Sequence, residues 1–80
     1  MSLRIIIHPD RIHDWITQRH GTPAHQRGTD SAPRILFGPG HDEYDKLTVD
    51  ELIEAMKFHH LVLLVDEAPG QTFHKFVERG

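Results

Sequence analysis

The sequence predicts an α+β fold, with two helices packed on one face of a small, mostly antiparallel sheet in the order β-α-β-α-β-β. Three observations carry this. Thr48 and Glu51 form a capping box ahead of an amphipathic stretch. The run Leu61 to Val65, LVLLV, has no polar break and is short enough for a strand, buried on both faces or central. Two more short apolar runs, LRIII and RILF, stand apart from it, with a Pro-started periodic stretch between them.

In chain order, Leu3 to Ile7 is β-branched and reads as a strand, placed at a sheet edge or joined to another subunit. Pro9 suits the start of a helix with His8 or Asp10 near the cap. Ile12, Trp15, Ile16 and Arg19 follow the spacing of one helical face, and Gly21 is expected to supply the left-handed stop. Trp15, the only Trp, is expected in the core. Gly21 to Pro33 is rich in turn residues, with PAHQ as a short edge strand. RILF, Arg34 to Phe37, reads as a strand broken by Gly38-Pro39-Gly40, and HDEYD as an acidic loop.

In the second helix Val49, Leu52, Ile53, Met56 and His60 fall on one stripe, with Leu47 and Leu52 as a hydrophobic staple. Phe58 falls off that stripe, either as ordinary exposed surface or as a contact residue for a partner. His59 and His60 close the helix at its negative dipole end. Pro69-Gly70 marks a turn, after which Phe73 to Val77 returns antiparallel to LVLLV.

Eighty residues make one domain, 1–80, which buries only about 60–65% of its unfolded surface. Without cysteine there is neither disulfide nor thiolate zinc site, which fits a reducing cytoplasm, the expected location. No apolar run reaches the ~20 residues of a membrane span, and Leu3 to Ile7 lacks the pattern of a secretory signal. The net charge of −3 is unevenly placed. Residues 1–40 carry five Arg against three Asp, while residues 41–80 carry four basic and nine acidic side chains. That is too weak a basic footprint to announce nucleic-acid binding. The eight His are scattered, so mild acid would raise the net charge without assembling a motif.

From Ile12 to Val77 the chain resembles a family of small bacterial proteins to which no activity is assigned. Ile12, Trp15, Arg19, Gly21, Pro23 and Ala24 fit its I-x-x-W-x-x-x-R-x-G-x-P-A pattern, followed by Gly28-Thr29 and by Arg34-Ile35-x-Phe37. The block DELIEAMKFHHLVLLVDE is similar to the family's acidic helix and L-x-x-L strand, and FHKFV to its F-F-K-L-V. This sequence departs where Leu36 replaces a common Asp, Val49 a common Trp, and Phe58 a usually polar residue, the last implying a private contact surface. Some relatives carry a glucan-branching-enzyme label. That chemistry uses a large barrel with carboxylates on its rim, which eighty residues do not hold.

The functional expectation is a small non-catalytic interaction module that binds a protein partner or itself, with Phe58, Arg19, Arg27 and Arg34 as candidate contact residues and no cofactor. One alternative is a nucleic-acid-binding module using Arg11, Arg19, Arg27 and Arg34. Another is a small metal-dependent enzyme drawing on His13 with Asp14, His20 with His25, or His41 with Asp42. Neither HExxH, GxSxG nor GxxxxGK[ST] occurs.

Overall fold

The computed structural model describes residues 2–28 and 32–79. Its elements are β1 (Leu3–Ile6), α1 (Pro9–Gln18), β2 (Thr22–Gln26), β3 (Arg34–Leu36), β4 (Tyr44–Lys46), α2 (Val49–Phe58), β5 (Leu61–Asp66) and β6 (His74–Glu78). The α+β class and the expected order hold, with the strand expected between the helices, β3, flanked by β2 and β4. The strands form two antiparallel sheets, β1-β5-β6 and β3-β2-β4. Thr29, half of the Gly-Thr step, lies outside the described residues.

The helices form for the reasons their sequences give. In α2 the Thr48 hydroxyl accepts from the Glu51 N–H at 3.1 Å while the Glu51 carboxylate accepts from the Thr48 N–H at 2.9 Å. Leu52, Ile53 and Met56 are buried and Val49 is partly so. His60 leaves the expected stripe because it takes a left-handed backbone, φ 55°, and turns out to solvent. In α1 Pro9 starts the helix after His8, whose side chain makes no capping bond. Ile12, Trp15 and Ile16 are buried.

The left-handed stop of α1 is His20, φ 56°, and not Gly21. Gly21 N–H donates to Ile16 O at 3.0 Å and His20 N–H to Thr17 O at 3.2 Å, the paired bonds of a Schellman motif. Glycine is needed at 21 for space. A Cβ there would meet Ile35 at 3.0 Å and Phe37 at 3.1 Å.

Sheet register sorts the side chains. Ile6 pairs with Leu63 and Leu63 with Phe76, so these face inward onto the helices. Ile12, Ile16, Leu52, Leu63 and Val65 are the largest fully buried side chains, each contributing about 1.5–3 kcal/mol. A ring cluster joins the two sheets beneath α1. Phe37, just past β3, lies 6.1 Å from Trp15 and 5.6 Å from His74 of β6, and His74 lies 5.9 Å from Trp15.

Three boundaries differ from the sequence reading. PAHQ belongs to β2, which is the centre of its sheet and not an edge. Pro23 is tolerated there because the pairing with β4 starts only at Ala24. Tyr44 and Asp45 of the expected acidic loop are in β4, held against β2 by pairing with Gln26 and His25. The last strand starts at His74, since Phe73 O instead accepts from Asp66 N–H in the turn.

Thr48→Ala is expected to destabilise the domain by about 1 kcal/mol, which lowers the melting midpoint by about 4–8 °C; an unchanged midpoint would contradict the capping box. His20→Gly relieves a left-handed strain of about 1 kcal/mol, so its midpoint in the same melting experiment is expected to rise.

Candidate functional site

Trp15 and Arg19 sit one turn apart on α1, so their side chains share a face. The Arg19 guanidinium lies 4.6 Å from the Trp15 ring centroid, a cation–π contact. Trp15 Nε1–H donates to Asp66 O at 2.9 Å. Arg19 donates to Ala68 O at 3.0 Å, Trp15 O at 3.2 Å, Asp66 O at 3.4 Å and Gln71 O. The forked guanidinium thus gathers the carbonyls of the β5–β6 turn, a task that suits Arg and not Lys.

Asp66 completes this junction from the other side. Its Oδ1 accepts from Ala68 N–H at 2.9 Å and Ser2 N–H at 3.3 Å. The Ala68 bond holds its carboxyl below the usual carboxylate range, burial opposes that shift, and the Ser2 bond and nearby Arg19 reinforce it. A hollow of about 400 Å³ beside the junction is lined by Arg11, Asp14, Gln18, Arg19 and Glu67 among others, cations and carboxylates in balance.

The residues expected to contact a partner are dispersed. Arg19 is held inside the junction just described. Arg27 Nε meets Asp45 Oδ1 at 3.1 Å. Arg34 leaves the outer face of β3 in register with Ala24 of β2, its guanidinium 5.9 Å from the Tyr44 ring. Phe58 projects from the end of α2, 78% exposed and edge-on to His59 at 5.1 Å. Arg11 and Arg19 share the hollow beside Trp15, whereas Arg27 and Arg34 belong to the second sheet, so the structure divides the four Arg into two pairs.

The histidines are likewise used singly. His41 Nε2 is 3.0 Å from Phe37 O, His74 Nδ1 is 2.9 Å from Thr72 O, and His25 Nδ1 is 3.1 Å from Gln26 O. Among the described residues no group of three or more His, Cys, Asp or Glu side chains is placed to hold a metal ion. None of the described helices is long and apolar enough to cross a membrane.

Two apolar surfaces remain open. One is the outer face of the β1-β5-β6 sheet. Ile5 pairs with Leu64, and Val62 with Val77, all turned away from the helices because their neighbours Ile6 and Leu63 turn inward. Ile5 is 55% exposed, Leu3, Ile7 and Phe73 are exposed to a similar degree, and Val62, Leu64 and Val77 are half-buried. The second is a groove of about 780 Å³ along α2, whose apolar lining is Leu47, Ala55, Phe58 and Pro33. Sequence reasoning singled out Phe58 and the Leu3 to Ile7 strand, read as a sheet edge or a join to another subunit; β1 is the edge strand of its sheet. The unbroken LVLLV run was the signal for the sheet face, because such a strand expects apolar cover on both sides.

The chain matches no family model, no curated protein and no solved structure.

Because the folded-state pKa of Asp66 lies below its unfolded value, the unfolded chain takes up this proton first as pH falls. Its stabilisation is complete above the unfolded pKa of about 3.9 and declines as pH drops through the lowered folded value. Denaturant midpoints measured from pH 7 to 3 are expected to show Asp66→Asn less stable than wild type at neutrality and the two converging in acid. Parallel curves would remove Asp66 from the acid response.

Proposed function

We propose that this chain is a non-catalytic protein-interaction module that self-associates through the outer face of its β1-β5-β6 sheet. The observation that carries the reading is the apolar character of that face, where Leu3, Ile5, Val62, Leu64 and Val77 stand with Lys75 as the charged neighbour of Leu64. Monomeric domains rarely leave so continuous an apolar surface open without a use for it.

A second copy is the occupant that suits it. A two-fold contact needs a self-complementary patch, and a pleated apolar face with Lys75 on its edge strand can meet its own copy without stacking like charges at the centre. Two such faces pack ~10 Å apart, as in a sandwich. Leu3, Ile5, Ile7 and Phe73 are about half open and Val62, Leu64 and Val77 less so, which together offers on the order of 500 Å² per copy. That is the low end of specific interfaces and implies a weak, micromolar dimer. The family resemblance is compatible with this but does not direct it. Ile12, Trp15, Gly21, Ala24 and Ile35, which carry much of the likeness, lie in or against the core.

Sedimentation equilibrium is expected to show the wild-type mass rising with concentration towards a dimer. Ile5→Glu, on an edge strand and already half exposed, is expected to remain monomeric with an unchanged circular dichroism spectrum. A wild type that stays monomeric at high concentration, or an Ile5→Glu variant that associates as well as wild type, would refute the reading.

A further inference from the structure

The groove along α2 has a different character from the sheet face. Its apolar lining is Leu47, Ala55, Phe58 and the buried Pro33, with the rings of His25 and His59 beside them. Every Asp, Glu, Lys or Arg that lines it is acidic: Asp50, Glu51 and Glu54. Glu51 is committed to the capping box, and Glu54 makes only an exposed contact with Lys57 at 3.5 Å, an ion pair of little strength. Nearby cations do not offset this. Arg27 is paired with Asp45, and Arg34 leaves the opposite face of its sheet.

Shape adds to charge. The apolar lining runs from Leu47, just ahead of the Thr48 cap, through Ala55 to Phe58 at the last position of α2, so the groove follows the ten residues of the helix, about 15 Å. Ala55 at mid-groove is small and allows close approach of another backbone. Phe58, 78% exposed at one end, is the kind of aromatic anchor that dominates protein contacts.

We propose that this groove is the docking site for a basic helical segment of a partner protein, one that lays apolar side chains between Leu47 and Phe58 and sets Lys or Arg against Asp50 and Glu54. This is the helix-in-groove mode, read as apolar anchors at i, i+4 and i+7. It is independent of the sheet face, which lies on the other side of the β1-β5-β6 sheet from the helices.

The test uses two labelled synthetic peptides of about 14 residues, enough for a helix slightly longer than the groove. One carries Leu at i, i+4, i+7 and i+11 with Lys elsewhere; the other replaces each Lys by Glu. Fluorescence anisotropy is expected to show binding of the lysine peptide, weakening with salt, and none of the glutamate peptide. Phe58→Ser is expected to weaken the lysine peptide by at least about ten-fold. Glu54→Lys is expected to weaken it too and to admit the glutamate peptide. Both residues are largely exposed, so the folded spectrum is expected to persist. Ile5→Glu is expected to leave peptide affinity unchanged, which separates this site from self-association. No binding of the lysine peptide, equal binding of both peptides, or wild-type affinity in both Phe58→Ser and Glu54→Lys overturns the proposal. Loss of self-association in Phe58→Ser would assign the groove to a second copy and overturn it equally.

Discussion

The fold depends on the contact between one turn of α1 and the β5–β6 turn. Trp15 and Arg19 reach across together, the indole donating to Asp66 O and the guanidinium to a set of turn carbonyls. Those carbonyls come from a connection that would otherwise present unpaired acceptors beside a buried indole. Removing Arg19 would therefore lose more than a surface charge. It would leave the turn without its donors and Trp15 without the cation over its ring. From the other side, the Asp66 carboxylate ties the turn to Ser2, next to β1. One junction thus fixes α1, the start of the chain and the β5–β6 pair, which is economical in a domain with so small a core.

A second constraint joins the two sheets. The chain leaves α1 through the left-handed His20 and passes Gly21, where Ile35 and Phe37 press against the backbone. Phe37 then meets Trp15 and His74. The sheets share no ladder in the strand order, so these rings help hold the second sheet against the first. His74 serves here as a flat, half-buried ring among aromatic neighbours.

What could be read from the sequence was what is decided locally. The Thr48–Glu51 cap acts within four residues, and the apolar spacing of Ile12, Trp15 and Ile16 is a property of one helix; both stand as expected. What could not be read was decided by distant partners. YDK has no apolar alternation, and β4 exists because β2 offers it a ladder. Gly21 looked like the stop because glycine usually is, whereas the space it must leave for Ile35 and Phe37 comes from residues far along the chain. Arg19 read as a contact residue for a partner because the turn carbonyls it serves lie some fifty positions away. Of the candidate contacts Phe58 keeps an open apolar face, Arg27 and Arg34 are exposed, and Arg19 is drawn into the junction. Leu47 was read only as a staple for Leu52 and Ala55 had no signal of its own, since they line a groove only together with Pro33 and His25 from distant parts of the chain.

The same physics explains why open apolar residues are left on the outer face of the β1-β5-β6 sheet. A slab 18 Å through its thin axis has room for one helical layer on one sheet layer. β5 sits at the centre of the first sheet and is apolar on both sides, yet the chain has helices for only the side of Leu63 and Val65. Covering Val62 and Leu64 as well would take a third layer, which none of the described elements forms. An outer face left polar would have cost the fold nothing, because an antiparallel sheet tolerates water on one side. That Ile5, Val62, Leu64 and Val77 are apolar there is therefore not a demand of the monomer fold.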